Sequence, residues 1–436
     1  MDDKVRTVRF QQLLDDGVLE IGDGYRAQNS ELGGSGPIFL RAGHVTDTHI
    51  DFTGVERFRA ELSHKVRSKM AKAGDTIITT KGNSTGRTSF VTHSHPPFVY
   101  SPHLSYWRSR DDQRLCGGFL RYWSQGAEFI NQLDGMKAST DMAPYLSLSD
   151  QRRLKVTLPP VERQRQIASF LGALDDNIAV NRQMNATLEA IARALFQSWF
   201  ADFEPVRAKM DGREPAGMDA ETAALFPDSF EDSQLGPIPS GLEIRSLDEI
   251  AHFLNGLALQ KYPPLNSETL PVIKIAQLRK GDVTGADRCD RNIPTNYVVG
   301  DGDVLFSWSG SLEVELWCGG EGALNQHLFK VTSNDFPKWF YYLWTLQHLK
   351  EFRLIAAGKA TTMGHIQRSH LAAAKALVPP RRLLDAMTRI VSPLVDKFIA
   401  NRIEARTLAK FRDTLLPRLL TGELRAVHAD EASAAV

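Results

Sequence analysis

The chain has 436 residues, 52 basic and 52 acidic side chains, 42% hydrophobic residues and 24% charged ones. That composition folds and excludes a disordered or fibrous chain; a net charge of zero excludes a protein that holds nucleic acid by overall charge, but not one with a local basic face. Cys116, Cys289 and Cys318 are too few and too scattered for a disulfide framework or a CxxC zinc site, no apolar run approaches the roughly 18 residues that span a bilayer, and the opening MDDKVRTVRF lacks the apolar core of a signal peptide, so a cytoplasmic chain with no membrane partner is expected.

In chain order, residues 1–157 carry short β-like runs such as Thr76-Ile77-Ile78-Thr79 and Phe98-Val99-Tyr100, punctuated by Gly, Pro, Asn and Asp. Residues 158–204 change character. After Pro160, steps of four and three collect Ile167, Leu171, Leu174, Ile178, Asn181, Asn185, Leu188, Ala192, Leu195 and Trp199, the a/d seam of a long helix. Residues 205–240 hold Pro205, Pro215, Pro227, Pro237 and Pro239 with Gly212, Gly217 and Gly236, and read as a linker. Residues 241–378 return to short β-like runs, Val272-Ile273-Lys274-Ile275 and Val304-Leu305-Phe306, with a helix around Trp339–Phe352. Residues 379–425 form a second seam through Met387, Val391, Leu394, Phe398, Asn401, Ala405, Leu408, Arg412, Leu415 and Leu419, and residues 426–436 read as a tail.

The second half of the chain repeats the first. Leu158-Pro159-Pro160 recurs as Val378-Pro379-Pro380 and Asp176-Asn177-Ile178 as Asp396-Lys397-Phe398, both at an offset of 220. Gly74-Asp75-Thr76 recurs as Gly302-Asp303-Val304, and Lys137-Ala138-Ser139-Thr140 as Lys359-Ala360-Thr361-Thr362. Two copies of a globular-then-helical unit give an α+β fold with twisted, partly barrel-like sheets. Shared register and length favour helices packed on each other, so Ile167, Leu171, Leu174, Ile178 and Leu188 are expected to face Met387, Val391, Leu394, Phe398 and Leu408. Asn181 and Asn401 take matching polar places where they can fix alignment.

Catalytic motifs are missing. There is no GxxxxGK[ST], HExxH or GxSxG, and Gly358-Lys359-Ala360-Thr361 lacks the upstream glycine of a P-loop. His93 and His95 read as surface histidines. Glu20-Ile21-Gly22-Asp23-Gly24 and His95-Pro96-Pro97-Phe98 faintly echo the motifs of an adenine methyltransferase, but a histidine cannot offer the amide oxygen that accepts from the adenine amino group; a turn and the start of a strand are the expectation. Charge is more informative. Lys65 to Arg110 hold eight Lys or Arg against one acid, and Lys338 to Lys375 hold six against one. These stretches read as phosphate-contacting faces with short polar base readers. The candidates are Lys72, Lys81, Asn83, Ser84, Arg87, Thr88, Arg108 and Arg110 in the first copy, and Ser307, Trp308, Ser309, Lys359, Thr361, Thr362, His365 and Arg368 in the second.

The stretch Leu158-Pro159-Pro160 with Gln164, Ile167, Leu171, Leu174-Asp175 and Ile178 resembles the conserved region of type I restriction–modification specificity subunits. The continuation Leu188 through Phe203 with Pro205-Val206, the ending Leu415 through Leu424, and Ile21-Gly22-Asp23-Gly24-Tyr25-Arg26 resemble the same family. The resemblance implies two target recognition domains separated by two long antiparallel helices, each domain reading one half of a split duplex DNA sequence. It implies no catalytic site and no cofactor on this chain. Two modification subunits would dock on it and methylate adenine with S-adenosylmethionine, and two restriction subunits would add ATP- and Mg-dependent translocation and cleavage. Trp199, Phe200 and Phe203 end the first helix with more apolar surface than a seam requires and are candidates for contacting a modification subunit. Arg412 departs from the pattern, standing in the second seam where the first has Ala192. A self-contained adenine methyltransferase would need a catalytic motif, and a scaffold that binds no DNA would lack the basic stretches.

Overall fold

The β-rich runs of the first copy assemble into two small sheets. The computed structural model describes residues 5–46, 49–138, 144–265, 267–358 and 364–424. Strands Leu19–Asp23, Leu104–Ser109, Thr76–Thr79 and Thr88–Phe90 form an antiparallel sheet in that order. Glu56–Arg57, Ile38–Leu40 and Phe98–Tyr100 form a second, with the last two parallel. Arg6–Arg9 pairs antiparallel with Lys155–Leu158, tying the start of the domain to its end.

The duplication read from the sequence is a duplication of topology. His252–Asn255, Leu328–Thr332, Val304–Ser307 and Val314–Leu316 repeat the four-stranded order. Arg288–Asp290, Thr269–Ile273 and Gly322–Leu324 repeat the second sheet with its parallel pair, and Val298–Val299 adds one strand. Glu243–Ser246 with Lys375–Val378 repeats the tie. The Gly-Asp signature has the same cause in both copies. The glycine takes a left-handed φ, +93° at Gly74 and +86° at Gly302, and the aspartate oxygen accepts from the backbone N–H three residues back, Lys72 or Gly300, at 2.8 Å. The turn is closed before the strand begins. Gly24 and Gly256 are fixed differently: a Cβ there would collide with the backbone of Ser101 or Asn325, which gives the Gly22-Asp23-Gly24 stretch a packing reason.

Two features differ from the sequence expectation. The strand in the second copy ends at Ile273, and Ile275 opens the helix Ile275–Lys280. Residues 205–240 are not a plain linker. They form the short helices Glu204–Met210 and Ala220–Leu225 and the hairpin Phe230–Ser233 with Gly236–Pro239. Val206, Phe226 and Ile238 are buried in the core of the second domain, so Pro and Gly separate short elements there rather than unfold a stretch of chain.

The two seams are helices Val161–Phe200, 40 residues, and Arg381–Thr421, 41 residues. The second ends against a left-handed Gly422 at φ 83°, and Phe203, three residues past the end of the first, is left-handed at φ 55° where it caps the helix Glu204–Met210. Phe203 is the one non-glycine with positive φ among the described residues, a conformation that costs an L-residue roughly 1–2 kcal/mol. The chain divides into two compact units, residues 1–176 with 408–436, and 177–407. In the first, Ile167 and Leu171 share a core with Leu416 and Leu419, and Leu174 packs at its edge. In the second, Met387 and Val391 share a core with Ala192, Phe196, Trp199 and Phe200, with Leu394 and Phe398 at its edge. Early residues of one helix thus meet late residues of the other: the pairing is antiparallel, and Ile167 and Leu171 do not face Met387 and Val391. Ile178 and Asn181 are buried and Leu188 and Leu408 half-buried.

The polar match is also shifted by a turn. Asn401, fully buried, donates to Oδ1 of Asn185 at 3.0 Å, and Asn185 donates to the Phe398 carbonyl at 3.1 Å. Asn185, rather than Asn181, is the partner, because reversing the second helix moves the crossing point. Replacing the fully buried Leu171 by Ala removes a side chain that cannot be refilled and is expected to cost about 2–5 kcal/mol. Phe398→Ala, at a half-buried position, costs less. Thermal unfolding of both variants checks the order.

Candidate nucleic-acid interface

In each domain the four-stranded antiparallel sheet ends in a loop closed by a hydroxyl. In the first domain Thr79 donates to the Ser84 carbonyl and accepts from the Arg87 N–H at 3.1 Å. In the second, Ser307 donates to the Ser311 carbonyl at 2.6 Å and accepts from the Glu313 N–H at 2.7 Å. Each loop then pairs with a segment that arrives from the far end of its domain. Gly82 N–H meets the Pro144 carbonyl at 3.1 Å and Leu146 N–H meets the Thr80 carbonyl at 2.9 Å. Gly310 N–H meets the Gly364 carbonyl at 2.8 Å and Ile366 N–H meets the Trp308 carbonyl at 2.9 Å. The backbone frame is the same in both domains.

The side chains on that frame differ. In the first domain Lys81 and Asn83 are exposed on the loop, Tyr145 is 58% exposed on the arriving segment, and His103 is exposed beside them. Among the described residues Lys81 has no acidic partner. In the second domain the equivalents of Thr80, Tyr145 and His103 are Trp308, His365 and His327. The Trp308 ring lies 6.0 Å from that of His327 and 6.4 Å from that of His365. Its Nε1 donates to Asn255 Oδ1 at 2.9 Å and to the Gln326 carbonyl at 3.1 Å. The first loop offers a cation, an amide and a phenol. The second offers an aromatic platform with imidazole and amide edges, the chemistry that stacks on bases and reads their edges.

The structure sorts the sequence candidates into three groups. Lys81, Asn83, Ser84, Arg87, Thr88, Trp308, Ser309, His365 and Arg368 lie on or beside the two loops. Within this group several are already engaged: Arg87 donates to the Val45 carbonyl at 3.0 Å, Thr88 accepts from Ser124 Oγ at 3.1 Å, Ser309 pairs with His327 Nδ1 at 2.9 Å, and Arg368 donates to the Phe253 carbonyl at 3.1 Å. Lys72, Arg108 and Arg110 stand at the opposite end of the first sheet, since Thr79 pairs with Leu104 and Thr76 with Trp107.

Arg108 belongs to the core: its Nε and Nη2 grip Asp75 at 2.6 and 2.7 Å, and Tyr100 donates to the same carboxylate at 2.6 Å. Burial, and then the Asp75 charge, push the Tyr100 phenol far up, so it stays a donor. Arg110 pairs with Glu20 at 3.3 Å. Ser307, fully buried, spends its hydroxyl on closing the loop. Lys359, Thr361 and Thr362 lie outside the described residues. Asn255, Gln326, His103, His327 and Tyr145 were missed; the dipeptide His103-Leu104 recurring as His327-Leu328 was the available signal.

The family described as Type I restriction modification DNA specificity domain matches residues 31–190. The chain is 26% identical over 308 residues to the type I restriction enzyme MjaIX specificity subunit of Methanocaldococcus jannaschii, covering 69% of this chain and 66% of that protein. It is 25% identical over 445 residues to the type I restriction enzyme HindI specificity subunit of Haemophilus influenzae, covering 89% and 94%. Over the matched residues the chain is similar to type I restriction–modification specificity subunits. The fold also matches the crystal structure of the type I restriction–modification S subunit from M. genitalium, at a TM-score of 0.56 and 13% identity over 96% of both chains. Among the described residues, no cluster of His, Cys, Asp or Glu could hold a metal and no helix is long and apolar enough to cross a membrane.

Trp199 and Phe200, candidates for partner docking, are buried against Phe226, Phe340 and Trp344, and Phe203 packs on Phe230. They cap the second domain's own core. His95-Pro96-Pro97-Phe98 leads into the strand Phe98–Tyr100, where the Pro97 carbonyl accepts from the Ile38 N–H at 3.1 Å. Arg108→Ala leaves Asp75 buried and unpaired and is expected to cost about 3–5 kcal/mol of stability. Lys81→Ala leaves the melting temperature unchanged and lowers the slope of log affinity against log salt by about one. Melting curves beside salt titrations of DNA binding separate the two roles.

Proposed function

We propose that each domain of this specificity subunit reads one half of a split duplex DNA target through its hydroxyl-closed loop and the segment paired with it. The observation that carries the reading is one backbone frame bearing two chemistries: Lys81, Asn83, Tyr145 and His103 on one loop, Trp308, His327, His365 and Gln326 on the other. Two copies of one loop with the same side chains would read a symmetric target; these read an asymmetric one. The chain has no catalytic group of its own in this reading. Methylation of adenine with S-adenosylmethionine belongs to two modification subunits, and ATP- and Mg-dependent translocation and cleavage to two restriction subunits. Exchange of residues 1–157 for the matching domain of a related subunit tests the division of labour. Sequencing of methylated bases is expected to find one half of the motif changed and the other intact; a change in both halves, or in neither, overturns it.

Docking of the modification subunits moves from Trp199 and Phe200 to the outer face of the first long helix. Val180, Met184 and Ile191 are 54%, 38% and 42% exposed at helical spacing, turned away from the seam. The equivalent of Ile191 in the second helix is Phe411, 50% exposed. One apolar side chain at the same repeat position of each helix suits two copies of one partner. Ile191→Asp is expected to lower co-purification of the modification subunit without changing the melting temperature; full retention at low concentration counts against this face.

A further inference from the structure

One carboxylate in the first unit gathers donors from two other helices. Asp175, on the first long helix, has a side chain 9% exposed. Its Oδ1 accepts from Arg412, on the second long helix, at 2.5 Å. Its Oδ2 accepts from Arg121 at 2.5 Å and from the Tyr122 hydroxyl at 2.7 Å, both on the domain helix Gly117–Trp123. This accounts for Arg412 in the second seam. Most of the remaining packing of that domain helix on the helix pair is apolar, Phe119, Leu120 and Trp123 in one core with Ile167, Leu171 and Leu416; the Cys116 N–H at its start also donates to Gln164 Oε1 at 2.9 Å. Apolar packing resists separation but is not directional. Charge-assisted hydrogen bonds add direction.

The second unit solves the same junction without this charge. At the repeat-equivalent positions Val395 replaces Asp175 and Ala192 replaces Arg412. An apolar cleft lies there, lined by Leu188, Ala192, Tyr342, Leu343, Leu394 and Val395. That domain is tied instead by Arg402 to Glu315 and Arg406 to Asp301, whose side chains are 25–39% exposed. In the Asp175 cluster Arg121 and Arg412 are 20% and 17% exposed, so water screens their attraction less.

We propose that Asp175 is a positioning residue for DNA recognition: with Arg121, Tyr122 and Arg412 it fixes the seat of the first domain on the helix pair, and so sets the spacer length that the subunit accepts between its half-sites. The proposal rests on the bipartite reading above. A domain that shifts its seat on the helix pair needs to carry its loop only about 3.4 Å, one base-pair step, to accept a spacer one pair longer or shorter.

The test uses the full chain assembled with its modification subunit, on duplexes carrying the native half-sites at the native spacer and at one pair more and one pair fewer. The variant D175V/R412A copies the second junction. Replacing a buried ion pair by apolar residues is often neutral or stabilising, and Arg121 keeps its place over the Phe90 ring at 5.1 Å. Asp175→Asn is the second variant, should the first fail to fold. Methylation of the shifted spacers is expected to rise about tenfold over wild type while the half-site sequences stay unchanged. Asp75→Asn, inside the domain, should lower the melting temperature and leave spacer choice alone. A stably folded Asp175 variant that rejects shifted spacers as wild type does overturns the proposal. So does a loss of native and shifted activity in parallel with lost stability, which would make Asp175 structural only. A wild-type complex that methylates no split target would overturn the bipartite reading instead.

Discussion

Apolar side chains of the two long helices complete both domain cores. Ile167, Leu171, Leu416 and Leu419 stand in one core with Phe10, Trp107 and Trp123; Ala192, Phe196, Met387 and Val391 stand in one core with Phe253, Phe306 and Trp339. Neither domain closes its apolar interior with its own strands. The helices are therefore more than a connection: they are walls of the domains they join, and the first core is closed by residues more than 200 positions away in the chain. This constraint explains why the C-terminal seam keeps its apolar residues beyond Leu408, where the helix leaves one compact unit for the other.

The same constraint explains the buried polar groups. An interior built from distant segments needs direction as well as adhesion. It has that direction from the Asn185–Asn401 pair, from Asp75 between Arg108 and Tyr100, and from Asp175 among its three donors. Such groups contribute little net stability, because removing charge from water offsets much of the attraction.

Much of the architecture was legible because it is written twice. The heptad seams, the Gly-Asp turns and the Pro-Pro boundaries recur at nearly constant offsets, and each proved to mark the same element in both copies. The interface was less legible, and the reason is pairing at long range. Of the basic residues between Lys65 and Arg110, Lys65, Lys69, Arg108 and Arg110 meet Glu31, Asp23, Asp75 and Glu20. Three of those acids lie outside the window, so a count within it overstates the free charge. The expectation for Trp199 and Phe200 fails similarly: an aromatic cluster at a helix end looks exposed until the segment 205–240 is known to fold over it. Antiparallel pairing, not readable from seam spacing, moved the polar contact from Asn181 to Asn185.

The hydroxyl closures at Thr79 and Ser307 have a consequence for how such a protein changes through time. They are made by a strand residue and backbone groups, so the outward side chains of the loop take no part in holding its shape. Positions such as Lys81 and Asn83 are then open to exchange without a folding cost, and so is the length of the loop, which already differs between the copies. In the reading proposed above, such exchanges would alter the molecular address on an unchanged chassis. On that reading the same freedom carries a hazard, because a changed address would leave the cell's own DNA unmarked against a partner nuclease.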